Sequence, residues 1–105
     1  VIVALPGEIF AETALEIRKS LAPQDPLFIL AYADDNLGYV PPKSDYSRGG
    51  YEIDEAHRFY GLGATVAPKT AEHLAQAGCK SAKMARVLAA QTQPTKICVT
   101  QGGKS

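Results

Sequence analysis

Two short apolar runs constrain this chain more than any other feature. Val1-Ile2-Val3-Ala4-Leu5 and Leu27-Phe28-Ile29-Leu30-Ala31-Tyr32 are continuous, bounded by turn-forming residues, and of strand rather than helix length, which is the pattern of strands buried on both faces. Pro6-Gly7 ends the first. From Phe10 the period changes: Phe10, Ala14, Ile17 and Leu21 share one helical face. Glu12 early and Arg18-Lys19 late suit the helix dipole, and Ala22-Pro23 closes the helix because proline disfavours helical geometry at the residue before it. Strand, helix and strand in so short a span predict a βαβ unit with parallel strands.

The expected fold class is α/β: a βαβ unit with a mixed sheet and a tyrosine-rich ordered loop. A parallel sheet is normally covered on both faces. A chain of 105 residues offers too little to cover a large one, so the expectation is a fragment of a larger layered α/β domain. The opening Val1 reads as mid-strand and points the same way.

Residues 34 to 65 are rich in glycine and carry two prolines and five of the eight aromatics. A loop this long is uncommon unless functional or disordered, and its aromatics argue for order. Short strands are expected near Tyr39-Val40 and Tyr51-Ile53. Beyond it, Pro68 suits an early helical position, with Ala71, Leu74 and Ala75 inward and Gly78 as C-cap. Ser81 would cap a further helix with Met84, Val87 and Leu88 inward. Lys96 to Val99 reads as a last strand, and residues 101 to 105 as a frayed tail.

Several chemistries are excluded. Lys+Arg equals Asp+Glu, at 11 each, so no net field draws nucleic acid or an acidic surface. Cys79 and Cys98 are too few for a disulfide framework and lack thiolate zinc-site spacing. They read as packing thiols, with a bridge between them open in an oxidising compartment. No apolar run reaches the ~20 residues of a membrane span. There is no GxSxG, no HExxH and no phosphate-binding glycine loop; Gly49-Gly50 and Gly61-Leu62-Gly63 lack the strand-helix context. His57 and His73 read as surface residues, His57 as a weak general-base candidate beside Asp54 and Glu55.

Two features remain. Glu8 stands at a strand-to-helix turn, where open α/β sheets bind ligands, although an acid there also serves the helix dipole. Tyr39 follows the second run much as Glu8 follows the first. Tyr46, Tyr51 and Tyr60 come after it, and tyrosines in loops commonly pack as amphipathic rim residues. Parallel strands would bring Glu8 and Tyr39 to one sheet edge, facing one pocket.

The stretch from Leu5 to about Leu74 resembles the later, C-terminal part of the catalytic domain of the neutral (non-lysosomal) ceramidase family, in its bacterial ceramidase-like branch. Pro6-Gly7-Glu8, Asn36-Leu37-Gly38-Tyr39-Val40-Pro41 and Asp45-Tyr46-Ser47-Arg48-Gly49-Gly50-Tyr51-Glu52 carry the resemblance, with Tyr39, Tyr46, Tyr51 and Glu52 at the family's spacing. It implies a partial catalytic domain over residues 1–100. It also implies a zinc ion held by Glu8 and Tyr39 and completed by two histidines outside this chain, with Tyr51 donating a hydrogen bond to the reacting amide. Zinc accepts carboxylate oxygen and, in catalytic sites, keeps a position for water. The implied substrate is ceramide or another N-acyl lipid. The implied partner is an upstream segment or a second chain, with membrane-surface contact in the whole protein and a secreted or periplasmic setting. Two ligands do not make a zinc site, so the chain alone should be inactive. The rival expectation is a non-catalytic α/β binding module whose tyrosine-rich loop recognises a partner.

Overall fold

The computed structural model describes residues 1–24 and 26–92. β1 (Ile2–Ala4) pairs in parallel with β3 (Phe28–Leu30), Ile2 opposite Phe28 and Ala4 opposite Leu30, and α1 (Ala11–Ser20) lies between them in sequence. This is the βαβ arrangement expected from the two apolar runs. β2 (Glu8–Ile9) pairs in parallel with β4 (Tyr39–Val40). The chain is therefore a small mixed α/β structure. Instead of one mixed sheet, the described residues form two separate two-stranded sheets, both parallel.

The break between the sheets has a local cause. Pro6-Gly7 interrupts what would otherwise be one strand, and after β3 Tyr32 and Asp34 turn the backbone through positive φ, 58° and 65°, a region costly for residues with a Cβ. Backbone bonds bridge the gap: Ala33 N–H to Leu5 O (3.0 Å), Tyr32 N–H to Gly7 O (3.0 Å) and Gly7 N–H to Asp35 O (3.0 Å).

The core lies on one side of the β1–β3 sheet. Val3 and Leu5 meet Ile17 of the first helix, Leu21 just past its end, and Ala75 and Ala82 from α3 (Thr70–Gln91). Ile17 is fully buried, a side chain worth roughly 1.5–3 kcal/mol of hydrophobic stabilisation. Thr13, absent from the expected apolar face, is also buried, and its hydroxyl has no hydrogen-bond partner. The opposite face is bare, with Ile2 66%, Phe28 63% and Leu30 51% exposed.

Several local expectations are corrected. Tyr51-Ile53 is not a strand but the start of a short helix, α2 (Tyr51–Asp54), because Gly50 at φ 112° turns the chain and the Asp54 carboxylate accepts the Gly50 N–H at 2.9 Å. Gly78 does not cap a helix, nor does Ser81 start one: residues 70–91 form a single helix. Gly78 sits where that helix crosses β1, and a Cβ there would lie 3.0 Å from Val3 Cγ1. Helix-favouring neighbours carry the chain through this glycine. Met84, Val87 and Leu88 point outward, at 57%, 57% and 55% exposure. Pro68 lies in the turn before the helix, which is entered through Lys69 at φ 75°. Cys79 packs against the core as expected of a packing thiol. Cys98, the 96–99 strand and the 101–105 tail lie outside the described residues.

Crowding at Gly78 makes a direct test. Gly78→Leu should destabilise the fold by about 1–3 kcal/mol through overpacking. Gly78→Ala should stay within about 1 kcal/mol of the unaltered chain, because better helix propensity offsets a small displacement of Val3. Chemical unfolding of both variants measures this.

Candidate functional site

The second sheet organises the candidate site. Gly7, at φ 74°, brings the strand so close to its neighbour that a Cβ there would lie 2.8 Å from Gly38 O. With no side chain in the way, Glu8 N–H donates to Gly38 O at 2.8 Å, and the register sets Glu8 directly opposite Tyr39. Val40, the next residue, is fully buried and anchors the pair. Glu8 and Tyr39 thus meet as the sequence led one to expect, by a different route. Tyr39 does not extend β3; it begins a strand of its own, seven positions beyond Tyr32, the end of the second apolar run.

Four tyrosines gather here. The Tyr60 hydroxyl donates to Glu8 Oε1, and its ring lies over the bare Cα of Gly38, where a Cβ would approach Tyr60 Cδ2 to 3.1 Å. Tyr39 and Tyr32 each have their pKa raised above the usual ~10, first by a hydrogen bond to the Glu8 carboxylate and further by its negative charge and by desolvation. Tyr51 and Glu52 add to the shift at Tyr39. The Tyr51 ring meets the Tyr39 ring edge-on, with centroids 6.2 Å apart at 77°. Phe10 flanks Tyr39 on another side at 6.2 Å and 85°, and Phe59 extends the row beyond Tyr51 at 6.3 Å. The two edge contacts, Phe10–Tyr39 and Tyr39–Tyr51, are of the kind that adds ~0.5–1.5 kcal/mol per pair beyond area burial.

The three residues singled out in the sequence, Glu8, Tyr39 and Tyr51, therefore sit together. Tyr46 does not join them: its hydroxyl donates to Val66 O at 2.5 Å, tying the loop to the segment before α3. His73 is exposed. His57 is half-buried, with Nδ1 shielded and unpartnered, and so is less of a surface residue than its sequence context implies. The sequence placed Tyr32 in the second apolar run and Tyr60 among the loop's rim tyrosines, and set neither beside Glu8. Tyr32 closes the second apolar run, where a parallel strand must emerge beside Glu8. Tyr60 is brought in only by the 3-10 turn Ala56–Tyr60.

Glu8 and Tyr39 offer neighbouring oxygen donors of the kind a divalent zinc ion takes. Two such donors do not make a metal centre, and among the described residues no three His, Cys, Asp or Glu side chains gather to hold an ion. Without a cation the carboxylate keeps the Tyr39 phenol protonated. A bound dication reverses that preference, as it does for other deprotonated ligands. A groove of about 380 Å³ lies elsewhere, between β1 and the third helix, lined by Ile2, Leu5, Gly78 and Ala82 among others.

The raised phenol pKa values carry a sign. A group whose folded pKa exceeds its unfolded value gives stability that is complete below ~10 and is lost as pH rises through the folded pKa. The chain should therefore lose stability above about pH 10. Glu8→Gln should lower the Tyr39 and Tyr32 titrations toward ~10 and blunt that alkaline loss. NMR titration of the tyrosine rings, with unfolding measured across the same window, tests both.

No protein-family model, no curated protein and no solved structure matches the chain.

Proposed function

We propose that this chain is part of a zinc-dependent amidohydrolase of the neutral ceramidase kind, acting on the amide bond of ceramide or a related N-acyl lipid. The observation that carries the reading is the parallel register that sets the Glu8 carboxylate opposite the Tyr39 phenol. Glu8 and Tyr39 would hold the ion, with two histidines from an upstream segment or a partner chain completing its shell. Bound zinc supplies Lewis acidity and hydroxide at neutral pH, by lowering the pKa of water to ~7. Tyr51, at 48% exposure, is free to donate from its hydroxyl to the amide carbonyl oxygen as negative charge develops there. The aromatic row beyond it, ending in Phe59 at 79% exposure, offers apolar surface to the hydrocarbon part of such a substrate. The bare sheet face formed by Ile2, Phe28 and Leu30, and the outward Met84, Val87 and Leu88, are surfaces against which the rest of a catalytic domain would pack.

The same exposed Tyr51 and Phe59 support a second reading, a binding module that uses aromatic anchors and no metal. Metal analysis separates the two. The complete protein should carry zinc, and Glu8→Gln and Tyr39→Phe should each lose most of it. Tyr51→Phe should retain zinc but lose about 10²–10³-fold in kcat on an N-acyl sphingoid substrate, the usual cost of one oxyanion donor. A complete protein without metal, whose activity or binding ignores Glu8, would favour the binding module.

A further inference from the structure

The hydroxyl of Tyr60 engages one oxygen of Glu8, Oε1, and the rest of the residue is built to keep it there. Its ring rests on Gly38, the residue that also accepts the Glu8 N–H and precedes Tyr39. The turn that carries it is closed by Gly61 at φ 69° and by Gly61 N–H to Arg58 O (3.2 Å) and Leu62 N–H to His57 O (3.0 Å). Tyr60 is half-buried, whereas Tyr32, the other neighbour of Glu8 beside Tyr39, is 59% exposed. Among the phenols around the carboxylate, Tyr60 is thus held on a glycine platform, between two elements that both contribute to the site.

A carboxylate has two oxygens and can rotate between them. When one is held by a fixed donor, the other is presented in a single direction, and the entropy of orienting the ligand is lost on folding rather than on binding. We propose that Tyr60 is a positioning residue: it holds Glu8 Oε1 so that Oε2 is the oxygen offered to the divalent ion, beside the Tyr39 phenol. This rests on the metal reading above and assigns Tyr60 no contact with substrate. The partners of metal-binding carboxylates act in this way, and their loss lowers metal affinity by ~10–100-fold.

The test uses the complete protein, with zinc affinity measured by competition against a chromogenic chelator. Tyr60→Phe should weaken zinc binding about 10–100-fold while thermal unfolding stays cooperative. Tyr46→Phe also removes one tyrosine hydroxyl, from a bond to Val66 O away from Glu8, and should leave zinc affinity unchanged. Activity lost in Tyr60→Phe should return on raising free zinc, because the defect is in holding the ion. Unchanged zinc affinity in Tyr60→Phe, or an activity loss that saturating zinc does not restore, overturns the proposal. The unaltered protein and Glu8→Gln act as references. Absence of Glu8-dependent zinc in them would sink the metal reading itself, whereas Glu8-dependent zinc that ignores Tyr60 sinks only the positioning role.

Discussion

The close approach of two backbones at Gly7 and Gly38 governs the rest of this structure. A positive φ and a neighbouring carbonyl at less than contact distance from any Cβ leave position 7 to glycine. From that crossing follow the Glu8 N–H bond to Gly38, the parallel pairing of the second sheet, and the register that turns Glu8 toward Tyr39. A slip of one residue would send every side chain of that pair to the opposite face. Gly38 serves twice: its carbonyl accepts the Glu8 N–H, and its lack of a Cβ admits the Tyr60 ring. The carboxylate and its surrounding phenols are therefore consequences of two glycines.

The core is built differently from the site. It is a thin layer in which small residues, Ala75, Gly78 and Ala82, let the third helix lie close on Val3 and Leu5. It covers one face of the β1–β3 sheet and leaves the other face apolar and open. A parallel pair whose residues are apolar on both faces has the composition of a central strand pair. Its one-sided cover agrees with the proposal that other segments complete the domain. The site sits at the end of this layer, where the strands diverge and the loop folds over, as is usual for ligand sites in open α/β sheets.

Much of the architecture was legible. The two apolar runs and the helical spacing of Ile17 and Leu21 located the βαβ unit, because burial imposes a period that composition reveals directly. The third helix was legible in part. Gly78 and Ser81 read as punctuation, yet a glycine at a helix crossing and a serine on an exposed helical face break nothing once packing supports the helix. Met84, Val87 and Leu88 have the spacing of a buried stripe and lie exposed, since a period says that a face is apolar and not what covers it. The short helix at Tyr51 was missed because Asp54 caps Gly50 through a side-chain bond that no period reports.

By itself the sequence singled out the candidate residues, an acid after the first strand and tyrosines after the second, along with the parallel sense of the strands that brings them near one another. These follow from local rules: apolar period, proline and glycine punctuation, and the geometry of a short crossover. Only the tertiary structure decided that Glu8 faces Tyr39 in register, that Tyr60 returns from 52 residues away to hold the same carboxylate, and that Tyr46 goes elsewhere. Those outcomes depend on contacts distant along the chain, where the absence of a Cβ at one position sets how near another segment can come, and no local pattern encodes that distance.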